Sequence, residues 1–179
     1  SSISKFSVSD KSQLWTALAR TFSSDLYGNG SDFKGWYNYL EAPVFYCGTL
    51  TLLVFPQIFL NVDCKRKITY GLLLAVGLIM ILFPYFRHML WLFSGDYYRT
   101  FSIYVTLILI FFSVRSLHYL ITQYKINRWL LLITGLILCI LLYLIPERID
   151  RTTVIDSDIR SKLTMFIIFY TGIIFLASL

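Results

Sequence analysis

The chain has 179 residues, of which 57% are hydrophobic and only 15% charged, and its mean hydropathy is +0.67. A soluble domain of about 150 residues buries only some 70% of the surface its unfolded chain exposes, so water is excluded as the solvent for most of this chain. The net charge of +6 comes from sixteen Lys and Arg scattered between apolar runs, which is how membrane proteins distribute charge and argues against nucleic acid as a partner. Disorder, a collagen helix, a coiled coil and a disulfide-stapled miniprotein each need a composition that this chain lacks.

Residues 1–41 are polar and aromatic and form a flank to the apolar remainder. Within it, Ser12 to Phe22 sets Leu14, Leu18 and Phe22 four apart beside Trp15, which predicts a short amphipathic helix lying at the membrane surface or on the bundle. Asp10 or Ser12 is positioned to cap it. Tyr27 to Gly35 holds three glycines with Asn and Asp and reads as turns. No apolar signal-peptide core opens the chain. The polar start and the stop inside an apolar run at Leu179 fit a piece of a longer protein.

Five apolar runs follow in residues 42–179, and a helix needs roughly 20 residues to cross a hydrocarbon core about 30 Å thick. The expectation is an all-α polytopic bundle with crossings near 42–62, 68–86, 100–119, 129–146 and 163–179, the first kinked at Pro56 and the third continuing past Arg115. Loop 63–67 carries Lys65, Arg66 and Lys67, and Arg115 to Arg128 adds three more cations with no acid. These two loops are therefore assigned to the cytoplasmic side of a plasma membrane, leaving residues 1–41 extracytoplasmic. The three cysteines show no paired spacing and read as apolar fillers. No metal-ligand pattern is present, and the residues specify no cofactor.

Chemistry concentrates on the outer side, in two segments. Gly35 to Pro43 places Trp36, Tyr37, Asn38, Tyr39 and Glu41 just before the first crossing. A carboxylate ringed by aromatics suits acid–base work or a hydrogen bond to a sugar hydroxyl, although Glu41 and Pro43 also suit the start of an interfacial helix. Ser94 to Ser102 brings Asp96, Tyr97, Tyr98 and Arg99 to the third crossing. An arginine at headgroup depth can grip phosphate oxygens with two donors at once, and Arg87 with His88 closes the same loop from the preceding helix. The competing reading is an Arg99–Asp96 pair.

These two segments, in this order, resemble the YfhO family of bacterial polytopic membrane proteins. The resemblance rests on Asn38, Tyr39, Glu41, Pro43, Tyr46 and Gly48 leading into a helix, on the basic turn Cys64 to Lys67, and on Tyr98, Arg99, Thr100, Phe101 and Ser102 opening the third crossing. It covers roughly residues 20–125, with Thr100 standing where many members have an aromatic. It implies a glycosyltransferase of the GT-C type, moving a sugar from a polyprenyl-phosphate carrier to an envelope polymer such as a teichoic acid on the outer face. The family's principal acid lies in an earlier outer loop, so on this reading the main catalytic acid falls outside the segment, with Glu41 a secondary candidate. Asn38, Tyr39, Glu41, Tyr98, Arg99 and Arg87 would bind substrate. A transporter or flippase segment, or a non-catalytic scaffold, are the alternatives; the former would need polar groups such as Gln57 and Thr106 inside the crossings to line a path.

Overall fold

The computed structural model describes residues 7–36, 39–123, 126–148 and 155–178. Its regular elements are helical throughout: α1 (Lys11–Phe22), α2 (Thr49–Val54), α3 (Ile58–Asn61), α4 (Cys64–Leu82), α5 (Pro84–Leu90), α6 (Tyr98–Gln123), α7 (Arg128–Leu144) and α8 (Ser157–Ala177), with short 3₁₀ turns at Gly30–Asp32 and Phe55–Gln57.

The expectation of five crossings is corrected. Two helices, α6 and α8, are long and apolar enough to cross a membrane, and a third is reached if α4 and α5 are taken as one span bent by 109°. The first apolar run falls short for a clear reason. Residues 42–48 are not helical, and the helix that follows tightens into a 3₁₀ turn at Pro56. Thr49 to Asn61 thus rises about 20 Å at ~1.5 Å per residue, against a core of about 30 Å. The 17 residues of α7 reach about 26 Å. In the second run, α4 spends its first turn on Lys65, Arg66 and Lys67 and stops before Pro84.

This short broken helix is the centre of the molecule. Leu52, Leu53, Val54, Gln57 and Ile58 are all buried, packed among α6, α7 and α8. Leu53 and Val54 join Leu138 and Leu142 of α7 and Leu163 and Ile167 of α8 in the main core cluster. Ile58 meets Phe112 of α6 in a smaller one. The buried amide of Gln57 is doubly satisfied, its Nε2 donating to the Asn127 carbonyl at 3.0 Å and its Oε1 accepting from the Asn127 N–H at 3.2 Å. Asn127 in turn caps α7 by accepting from the Leu130 N–H at 2.9 Å. By contrast α4 has no fully buried residue and sits at the periphery.

Helices α7 and α8 approach through Gly135, where an added Cβ would stand 2.9 Å from Thr171 Oγ1. Small residues permit such close backbone contact between lipid-embedded helices. At the far end of this pair the flank is stitched down. Tyr27 Oη donates to the Pro146 carbonyl at 3.2 Å, the Asp156 N–H to the Leu26 carbonyl at 3.3 Å, and Arg160 pairs with Glu147 at 3.7 Å.

The amphipathic helix forms as expected, one residue earlier at Lys11, but its inward face is not the leucine stripe. Gln13, Thr16, Ala17, Ala19, Arg20 and Phe22 are buried, whereas Leu14 and Leu18 are half-exposed. Asp10 occupies the cap position without a side-chain capping bond.

Candidate functional site

The two segments singled out in the sequence lie side by side. The non-helical residues 42–48 run along the first turns of α6, where the backbone polar groups of Val44 find partners on its hydroxyls. The Val44 N–H donates to Ser102 Oγ at 2.7 Å, and Thr106 Oγ1 donates to the Val44 carbonyl at 3.1 Å. Irregular backbone inside a membrane protein persists only where such groups are satisfied internally. Gly48 then starts α2 with φ +90°, a left-handed conformation natural to glycine and costly for other residues. The glycine that ends the motif is required by the backbone.

At the end of this pairing the chain leaves a cleft of about 390 Å³, lined by Leu40 and Glu41 on one side and by Gly95, Asp96, Tyr97, Tyr98, Arg99 and Thr100 on the other. Arg99 Nη1 donates to the Leu40 carbonyl at 2.9 Å and to the Tyr39 carbonyl at 3.3 Å. These bonds fix the guanidinium against the opposite wall. Among the described residues no carboxylate is paired with Arg99, so its charge is held in place without being neutralised. Glu41 is exposed beside it.

Asp96 is engaged elsewhere, and this settles the choice between the two arginines. Arg87 is fully buried and meets Asp96 through a fork, Nε to Oδ1 at 2.7 Å and Nη2 to Oδ2 at 2.9 Å. Its Nη1 donates to the carbonyls of Met80 at 2.5 Å and Ile81 at 3.1 Å, and its guanidinium lies 3.9 Å from the centre of the Tyr98 ring. The carbonyls are those orphaned where Pro84 breaks the helix, because proline supplies no N–H to continue the ladder. Ser9 completes the closure, donating its N–H to the Leu82 carbonyl and its Oγ to the Ile81 carbonyl, both at 2.7 Å. The expectation that Arg87 faces a phosphate is therefore corrected: it is a structural rivet for the bend between α4 and α5.

Tyr98 borders the cleft with its ring turned inward, edge-on to Trp36 and Phe45. Tyr39 stands behind the cleft wall, and Asn38 lies outside the described residues. Sequence reading passed over Arg20 of α1. It is buried, with Nε and Nη1 unpartnered, and lies over the rings of Phe33 at 5.2 Å and Tyr39 at 5.0 Å. Arg99 approaches the same Tyr39 ring at 5.9 Å. Burial pulls the pKa of Arg20 below its ordinary value, Tyr39 opposes that shift, and the like charge of Arg99 adds to it. The signal in the sequence was an arginine with no acid within four residues on either side.

Of the in-run polar residues, Gln57 and Thr106 hold backbone groups in place, and Thr134 Oγ1 donates to the Leu130 carbonyl at 2.7 Å. No cluster of three or more His, Cys, Asp or Glu capable of holding a metal occurs among the described residues. Compared with known protein families, curated proteins and solved structures, the chain matches none.

Proposed function

We propose that this chain forms part of an integral membrane glycosyltransferase that takes a sugar from a polyprenyl-phosphate carrier and passes it to a cell-envelope polymer on the outer face of a bacterial plasma membrane. The observation that carries the reading is the position of Arg99. A guanidinium with no carboxylate paired to it among the described residues is braced on two carbonyls at the end of a membrane-length helix, on the cleft that Glu41 also lines. Arg99 grips the carrier phosphate and Glu41 contacts the sugar or the acceptor, with Asn38 a further contact and Tyr39 backing the wall that holds them. Arg87 acts indirectly, by holding Asp96 and the loop that carries Tyr98 and Arg99. The resemblance to the YfhO family adds the reaction class, and it rests on the motif residues alone.

The test is complementation of a strain lacking the full-length gene, with mass spectrometry of its lipid extract for polyprenyl-phosphate sugars and sugar analysis of the envelope polymers. Deletion should raise one lipid-linked sugar and remove that sugar from outside. Arg99→Gln should reproduce the defect at wild-type protein levels. Normal pools in the deletion strain would sink the transferase reading and favour a scaffold; normal pools in Arg99→Gln alone would remove Arg99 from the site.

A further inference from the structure

A second cavity is larger than the cleft. A groove of about 690 Å³ lies between α1 and the seam of α4 with α6, walled by Leu14, Trp15 and Leu18 on one side and Leu78, Val105 and Leu109 on the other. Its volume falls in the range of about 300–1,000 Å³ typical of small-molecule sites. A second hollow of about 180 Å³ shares Leu78, Ile81 and Val105 with it and continues past Leu74 and Ile108. The two adjoin through these shared walls and make an apolar channel along α4 and α6. The groove's one charged lining residue is Lys11, at the first turn of α1, and no carboxylate is paired with it among the described residues.

We infer that this groove is a binding site for one hydrocarbon chain of an anionic glycerophospholipid of the surrounding bilayer, with the lipid phosphate on Lys11. The inference does not rest on the transferase reading. Three observations select the occupant. The walls are apolar, so the guest is hydrocarbon. Leu14 and Trp15 of α1, which the bundle leaves partly exposed, line the groove beside Leu18, which also packs against the main core. Recognition at the mouth is by a single cation, with none of the cleft's Glu41, Asp96 or Arg99 reaching it, which suits a plain phosphodiester headgroup and offers nothing to read a sugar. A lysine near an anionic lipid surface contributes an attraction that corresponds to about a fivefold preference.

Trp15 reports on the site directly. The full-length protein is placed in phosphatidylcholine vesicles containing a small fraction of chain-brominated phosphatidylglycerol or, separately, chain-brominated phosphatidylcholine, and Trp15 emission is taken as the difference from Trp15→Phe. At equal mole fraction the brominated phosphatidylglycerol should quench Trp15 about fivefold more effectively. Lys11→Gln should abolish that preference while leaving residual quenching. Val105→Phe, which fills the channel, should reduce quenching by both lipids. Native mass spectrometry from mild detergent should find one retained phosphatidylglycerol on the wild type and none on Lys11→Gln, a readout independent of the fluorescence variants. Equal quenching by the two lipids, or quenching untouched by Val105→Phe with the variant still monodisperse, would mean that Trp15 samples bulk lipid and would overturn the inference. Absence of any quenching would overturn it too, since another segment would then fill the groove.

Discussion

Arg87→Met is the most informative single perturbation of this fold. It removes the forked ion pair with Asp96 and uncaps the Met80 carbonyl, while Ser9 Oγ still donates to the Ile81 carbonyl. Breaking a buried pair from one side costs about 3–5 kcal/mol, because the remaining charge is left uncompensated. Asp96 is roughly one-fifth exposed, so its stranded carboxylate recovers some hydration and the pair belongs at the low end of that range. The Met80 carbonyl left unsatisfied adds on the order of 1 kcal/mol. A net loss of ~4 kcal/mol should lower the thermal midpoint by about 8–16 °C for a chain of this size, read by the unfolding of detergent-solubilised protein. Arg87→Lys keeps the charge and loses the fork, so it should fall between wild type and Arg87→Met. Arg87→Met combined with Asp96→Leu should regain part of the loss, since neither charge is then stranded. A midpoint within ~2 °C of wild type for Arg87→Met would refute the rivet, and a double variant less stable than both singles would refute the charge argument.

Three further outcomes follow from the same contacts. Ser102→Ala should cost about 1–3 kcal/mol by orphaning the Val44 N–H, seen as faster hydrogen exchange at that amide and weaker binding in the neighbouring cleft. Gly135→Leu should separate α7 from α8, because even a Cβ there would meet Thr171 Oγ1 at 2.9 Å; a midpoint drop of several degrees should exceed that of Gly135→Ala. Burial raises the Tyr27 phenol above its ordinary pKa, so the unfolded chain ionises first: the stabilisation is complete below about pH 10 and is lost as pH rises further. Tyr27→Phe should flatten the fall in thermal midpoint above pH 10, at the cost of about 1 kcal/mol for the bond to the Pro146 carbonyl.

Composition made the all-helical character of the chain legible, and the run at 100–119 and most of that at 163–179 lie in the two membrane-length helices. The first run misled because hydropathy measures only where a segment would rather be. Residues 42–48 are apolar, but Ser102 and Thr106, some 60 positions later, supply the hydrogen bonds to Val44 that let the segment stay non-helical. No local pattern carries that information. The site was legible as a pairing of segments and illegible in its division of labour. Arg99 stands three residues from Asp96 and Arg87 nine, yet it is Arg87 that turns inward to Asp96, because the bend at Pro84 leaves carbonyls for it to cap. Arg20 was hidden for the opposite reason: it looked like an ordinary surface cation on a short helix.

The enclosed helix at Thr49–Asn61 has a consequence for biogenesis. An element about 20 Å long, interrupted at Pro56, has neither the length nor the continuous hydrogen bonding to rest in a bilayer as an independent span. Yet it is synthesised ahead of α6, α7 and α8, the helices that bury it. Membrane proteins assemble largely by inserting stable helices first and packing them afterwards, which leaves this segment without a stable seat until its partners arrive. It must wait at the interface or within the insertion machinery and be lowered into place late. The cleft, one wall of which lies on the irregular segment leading into that same helix, depends on the same packing.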